Sequence, residues 1–330
     1  MSKVIPPNRP VLSLTISPRT ERDSQILQKA LNDIAQQDST ISVEVKTEGM
    51  FIIRGLSESQ LNSIRDRVLR DYGVEADIER PRVIYLETIR KQAEAEGEFM
   101  RVKVKLRMEP LEEGDGYQFI NETRDETVPS EFVGSINSAI REGMKAGILV
   151  DQEIVDLRAV LCDGSYPHEE VNESAFRIAA LMAFKEGVRR AKPVILEPIM
   201  SVRVKGPERN LSTREIVGDL KSRRGDVIGI EHDDNSFLLL RAIVPMAEMN
   251  GFSSFLRLTA QGHAEHSMRL IRYAEALPQA SSEEDDEAVT IANPDPGPDP
   301  GTDQAGVFAF KPRGPKPKSH SAAANLDTPS

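Results

Sequence analysis

The chain has 330 residues, 39% hydrophobic and 29% charged, enough for two or three domains with cores of their own. Its single cysteine, Cys162, excludes an internal disulfide framework, and neither the opening MSKVIPPNRP nor any later stretch has the apolar run of a leader or a membrane span, so a cytoplasmic protein without a membrane partner is expected. The net charge is −11, of which residues from Pro278 onward supply −5; nucleic-acid binding therefore needs local basic patches, and no DNA partner is expected.

Residues 1–9 read as an extension. The first folded unit, 10–80, opens on VLSLTI, an apolar β-branched strand. ERDSQILQKALNDIAQQD then places Ile26, Leu27, Ala30, Leu31 and Ile34 at helical spacing. ISVEVK and MFIIRG are two short strands divided by the turn Thr47-Glu48-Gly49. SESQLNSIRDRVLRDYG carries a stripe of Leu61, Ile64, Val68 and Leu69 and stops at Gly73. VEADIE closes the order βαββαβ, the split-βαβ arrangement of ferredoxin-like sandwiches.

The second unit, 81–192, is ordered differently. In FMRVKVKLRMEP the apolar Val102, Val104 and Leu106 face one way and Arg101, Lys103, Lys105 and Arg107 the other. GYQFINE and EIVDLRAVLCDGS are further strands; SEFVGSINSAIREGMKAG and NESAFRIAALMAFKEGVRRA are helices. Two helices on one sheet leave the other face wet, so the basic row can point to solvent.

The third unit, 193–277, repeats βαββαβ. Strand ILEPIMSVRV leads to a helix opened by a capping box at Ser212-Thr213-Arg214-Glu215 and ended by Gly225. A hairpin turns at Asp234-Asn235, MAEMNGFSSFLRLTAQG is the second helix, and HAEHSMRLIRY the last strand. From 278 to 330 the charge blocks and Pro/Gly-rich runs predict a disordered tail, acidic first and basic later. The fold class is α+β: three small α/β sandwiches and a tail.

IIRGLSESQL…VEADIERPRVIYLETIRK resembles the third domain of elongation factor G and its relatives, where a strand and a G-M-G-E-L-H-L segment lead, after a helix, into P-x-V-x-Y-x-E-T-I. YQFINE, VPSEFVGSINSAIREGMKAG and DGSY…AFRIAALMAFKEGVRRAKPVILEPIMSVRVKGPE are similar to the fourth domain and its junction to the fifth. VGDLKSRRGDVIG and AIVPMAEMNGFSSFLRLTAQGHAEHSMRLIRY are similar to the fifth. The likeness runs in order from Pro10 to Leu277. It implies ferredoxin-like third and fifth domains and a fourth like the second domain of ribosomal protein S5. It also implies the ribosome-facing half of a translational GTPase, with the fourth domain reaching towards the decoding centre.

That family's nucleotide-binding half has no counterpart here. No G-x-x-x-x-G-K-[ST] loop cradles phosphates and no N-K-x-D reads guanine. With the first strand so near Met1, no room for such a domain is expected. The reading is a G-domain-less relative that binds the ribosome or ribosomal RNA without hydrolysing GTP. The alternative is a protein-interaction scaffold, or half of a split factor whose partner is a separately encoded GTPase domain.

Several positions depart from the family. Its Gly, Leu and His in G-M-G-E-L-H-L are Ser57, Ser59 and Gln60 here. The fourth domain's first tip is shortened to Lys91–Glu96 before Gly97; losing the family's further strand there would expose a sheet edge. In the tip G-S-Y-H-x-V-D-S-S-E-x-A-F, Gly164, Ser165, Tyr166, Glu173, Ala175 and Phe176 match. Pro167 replaces the His and is followed by His168, Glu169 and Glu170, whose carboxylates would repel an RNA backbone.

The candidate ribosome or RNA contacts are thus Arg101, Lys103, Lys105 and Arg107, the tip from Tyr166 to Glu170, and Arg223 with Arg224, which match the family's R-R-G. Two readings stand for the basic row: spacing to meet phosphates, or a solvated face balanced by acids such as Asp151 or Glu153. Arg223 and Arg224 equally suit a helix C-terminus. No catalytic, cofactor or metal site is expected. His263 and His266, three apart on a strand, face opposite sides; His168 lacks a second ligand cluster; Cys162 reads as a small strand-end residue without a base.

Overall fold

The computed structural model describes residues 9–46, 49–167, 172–210, 212–232 and 237–277. The turn residues Thr47, Glu48, Asp234 and Asn235, the tip residues His168, Glu169 and Glu170, and the tail from 278 lie outside them. In the first domain, β1 (Leu12–Pro18), α1 (Glu21–Gln37), β2 (Ser42–Val45), β3 (Phe51–Gly55), α2 (Glu58–Asp71) and β4 (Ala76–Ile78) form an antiparallel sheet ordered β2-β3-β1-β4. Leu14, Ile16, Phe51 and Ile53 alternate inward against Leu27, Leu31, Leu61, Ile64 and Val68. Leu69 was expected on that stripe but flanks it and is 37% exposed. β5 (Arg82–Val83) adds to the edge of β1.

The second domain holds β6 (Leu86–Ile89), β7 (Ala93–Phe99), β8 (Val102–Pro110), β9 (Tyr117–Asn121), α3 (Ser130–Ala146), β10 (Leu157–Ser165) and α4 (Glu173–Arg190). Its sheet runs β7-β8-β10-β9, with β9 parallel to β10. The strand expected to be lost is present as β7, paired with β8 from Ala93↔Met108 to Phe99↔Val102. Its inward residues are small because α4 crosses it closely: a Cβ on Gly97 would lie 2.1 Å from the carbonyl oxygen of Ala179. Met100 and Arg101, with φ of 49° and 62°, form a two-residue hairpin turn, so Arg101 is not part of the strand row.

The third domain comprises β11 (Pro193–Pro207), α5 (Thr213–Ser222), β12 (Asp226–His232), β13 (Phe237–Pro245), α6 (Phe252–Thr259) and β14 (Glu265–Glu275). Its sheet order is β12-β13-β11-β14, and β6 joins it by pairing antiparallel with β11. The capping box does not form. Ser212 makes no side-chain bond, and its carbonyl accepts from Glu215 and Ile216 instead. The left-handed residue after α5 is Arg224 (φ 57°) rather than Gly225. Gly225 serves close approach, since a Cβ there would lie 2.5 Å from the Leu220 carbonyl oxygen. The second helix is broken: a 3-10 turn at Met246–Met249 is cut off by Gly251 (φ 74°), leaving α6 eight residues long. Residues of the first and third domains share one apolar cluster, and the second domain has its own.

Candidate functional site

α3 and α4 cover one face of the second sheet, against the buried Val102, Val104, Leu106 and Met108. Lys103, Lys105 and Arg107 lie on the opposite face, as the alternation requires. Their partners come from β7 and neighbouring strands, not from Asp151 or Glu153. Lys103 Nζ is 3.3 Å from Glu96 and 3.4 Å from Glu98, and Lys105 Nζ is 2.8 Å from Glu94. Arg107 pairs with Glu109 at 2.8 Å and Glu122 at 3.0 Å; Arg158 reaches Glu109 at 3.1 Å. Glu153 instead binds Arg9 at 2.6 Å.

Hydrogen bonding to Glu96 raises the Lys103 ammonium above its ordinary range, and Glu94 does the same for Lys105. The Lys105 ammonium in turn holds the Glu94 carboxyl low. Such exposed pairs add little stability, because water screens them. Their larger consequence is electrostatic: four cations meet five carboxylates, so the face presents no net positive charge to a phosphate backbone. Cys162 lies in the same face, its Sγ accepting from Arg107 at 3.3 Å, and burial pushes its thiol up.

Strand register brings Arg101, Lys103, Tyr166 and Pro167 to one end of the domain, because Ser165 pairs with Lys103 beside the Met100–Arg101 turn. Gly164 permits this, since a Cβ there would sit 2.5 Å from Val128 Cγ2 and 2.9 Å from the Lys103 carbonyl oxygen. Met100 is 67% exposed and Arg101 is exposed beside it. Tyr166 is half-buried, its ring 6.0 Å from Phe176, which stacks on Phe132 at 4.9 Å. Asn172 caps α4 by accepting from the Ala175 N–H at 2.8 Å.

Arg223 and Arg224 lie in the third domain, and both guanidinium groups are engaged by residues of that domain. Arg223 donates to Asp219 at 2.7 Å and to the carbonyls of Glu248 at 2.5 Å and Asn250 at 2.8 Å, above the Phe252 ring. Arg224 grips both oxygens of Glu197 at 2.9 Å and reaches Glu248 at 2.8 Å, which drives its basicity up. The pair thus braces the broken second helix against β11.

Two cations that sequence reasoning missed have no such engagement. Arg203 and Arg269 are exposed on the open face of the third sheet, without an ion pair among the described residues. Arg203 sits directly across from Arg241, which Glu231 holds at 2.6 Å. The alternation Ser201-Val202-Arg203-Val204-Lys205 was the available signal, the same pattern that marked β8.

The family departures also have local work. Ser57 Oγ caps α2 by accepting from the Gln60 N–H at 3.2 Å. The Gln60 amide accepts from Leu56 N–H at 2.8 Å and donates to Asp38 and Thr40. His263 precedes β14, while His266 lies within it, 3.2 Å from Ser253 Oγ. No cluster of His, Cys, Asp and Glu suited to a metal occurs among the described residues, and no described helix is long and apolar enough to cross a membrane.

Comparison with known families gives three consecutive matches. The model of elongation factor G domain III matches residues 7–80, that of elongation factor G domain IV matches 81–192, and that of the elongation factor G C-terminus matches 194–283. A crystal structure of a protein from Thermus thermophilus is 29% identical with a TM-score of 0.63. The likeness covers 84% of this chain and 42% of that one, so the chain spans less than half its length.

Proposed function

Since the chain belongs to the elongation factor G family, we propose that it is an elongation-factor-like protein that binds the ribosome through ribosomal RNA and hydrolyses no GTP by itself. The observation that carries this reading is order: three family domains follow one another over residues 7–283, each at its family position. The 330 residues contain no phosphate-cradling loop of the G-x-x-x-x-G-K-[ST] kind.

Binding energy then comes from cations that are not already neutralised. Arg101 at the hairpin tip and Arg203 and Arg269 on the third sheet are free to meet phosphates. Lys103, Lys105 and Arg107 are occupied by carboxylates and contribute little. Pro167, with His168, Glu169 and Glu170 beyond it, replaces the family's tip chemistry, which fits an accessory, protective or competing role in elongation rather than translocation.

Sedimentation with purified ribosomes in low salt tests binding, and phosphate release in the same mixture tests turnover. Co-migration without GTP turnover above that of ribosomes alone is the expected result. Absence of co-migration overturns the binding reading. Turnover that appears only on adding a separately encoded GTP-binding protein would replace it with the split-factor reading.

A further inference from the structure

Glu87 and Glu197 are the two charged residues buried among the described residues, at 0% and 4% exposure. Both lie where β6 pairs with β11: Glu87 opposes Ile195, and Glu197 follows two positions along. A buried carboxylate is costly unless its oxygens are satisfied, so the partners of each show what the site holds together.

Glu197 binds Arg224, as described, an ion pair within the third domain. Glu87 has no cation partner among the described residues. Its carboxylate accepts backbone N–H groups from Ile148 at 2.8 Å, Leu149 at 3.0 Å, Val150 at 2.9 Å and Gln152 at 3.4 Å. Its main chain donates to the Glu153 carbonyl at 2.9 Å and accepts from Val155 at 2.8 Å. Next to it, Thr88 Oγ1 donates to the Val155 carbonyl at 2.9 Å. The loop is shaped for this. Gly147 has φ 69°, and a Cβ there would stand 2.6 Å from Glu87 Oε1 and 2.2 Å from the Gln152 carbonyl oxygen.

The held segment links α3 to β10, two elements that build the second domain's core. β6, which carries the carboxylate, is by pairing a strand of the third domain's sheet. We infer that Glu87 is a positioning residue: its carboxylate sets the pose of the second domain, and hence of the Met100–Arg101 tip, relative to the third sheet. Two exposed ion pairs, Arg9–Glu153 and Arg90–Glu275, involve residues next to this contact. The inference goes beyond the proposed ribosome binding and needs no ribosome for its test.

The test is a distance between domains in the full chain. Spin labels at Met100→Cys and at the 80%-exposed Leu258→Cys, in a Cys162→Ser background, report the tip against α6 by pulsed electron resonance. Glu87→Gln keeps the size but turns an amide N–H₂ towards backbone donors. The distance distribution is expected to broaden and shift, and Gly147→Ala, which strikes the contact from the loop side, is expected to do the same. Val104→Ala loosens the second domain's core away from the junction and is expected to leave the distribution centred as in the parent. Unchanged distributions in the two junction variants, or equal broadening in Val104→Ala, would overturn the inference. Should Glu87→Gln not fold, Glu87→Asp, which withdraws the charge by one methylene, is read by the same criteria.

Discussion

Replacing Arg224 by Ala tests whether the R-R-G match is an internal brace or a contact held out for a partner. Arg224 makes two hydrogen bonds to Glu197, whose side chain is 5% exposed, and one to Glu248 at 38%. Stripping the partner from a nearly buried carboxylate costs about 3–5 kcal/mol, and the exposed Glu248 pair adds under about 1 kcal/mol. Arg224 is itself one-third exposed, so water screens part of this and about 3 kcal/mol is the working figure. Because the first and third domains share one apolar cluster, they should melt together as a unit of 150–250-residue behaviour, giving a Tm loss of roughly 6–12 °C. Arg224→Lys keeps the charge but not the fork and should lose about half as much. Calorimetry of the full chain measures both. A Tm drop below about 2 °C, with ribosome binding lost, would refute the brace.

Arg203→Glu with Arg269→Glu is expected to weaken ribosome binding and flatten its log–log salt dependence by about 1–2. Lys105→Glu, in the neutralised row, should leave affinity within about twofold; the reverse ranking would return the RNA contact to β8. Gly97→Ala drives a Cβ to 2.1 Å from a backbone oxygen and is expected to cost more than about 3 kcal/mol in urea unfolding; a loss under about 1 kcal/mol would contradict the close crossing of α4. Stability should fall with acid in two stages, read as Tm against pH. Burial lowers the pKa of His266, so its contribution is complete above the unfolded value of about 6.5 and is lost as pH falls below it. Glu94 and Glu109, held low by Lys105 and Arg107, add stability above about pH 4.3 that is lost below it. A Tm that rises from pH 7 to pH 5, or a His266→Gln variant that keeps the upper limb, would contradict the assignment.

Strands whose inward residues are large were legible in the sequence, and β8 and β3 needed only alternation. β7 was not, because the residues it buries are Ala95 and Gly97, chosen for the approach of α4 rather than for apolar area. The charge balance of the second sheet was hidden for a related reason. Glu94, Glu96 and Glu98 are neighbours in sequence, but only the register of an unrecognised strand sets them opposite Arg107, Lys105 and Lys103. Arg223 and Arg224 could be placed after a helix from the glycine that follows, yet the engagement of Arg224 depends on Glu197 and Glu248, 27 and 24 positions away from it. Glu87 stood in a motif that matched the family, but nothing local marks a carboxylate whose partners are backbone amides 61 to 65 residues on.

The most direct test of ribosome binding is an equilibrium titration of the full chain against purified ribosomes across salt concentrations, with GTP present. Saturable binding is predicted, its logarithm falling linearly with log salt, together with no GTP turnover beyond that of ribosomes alone. A chain that stays unbound at the lowest salt and at saturating ribosome would contradict it.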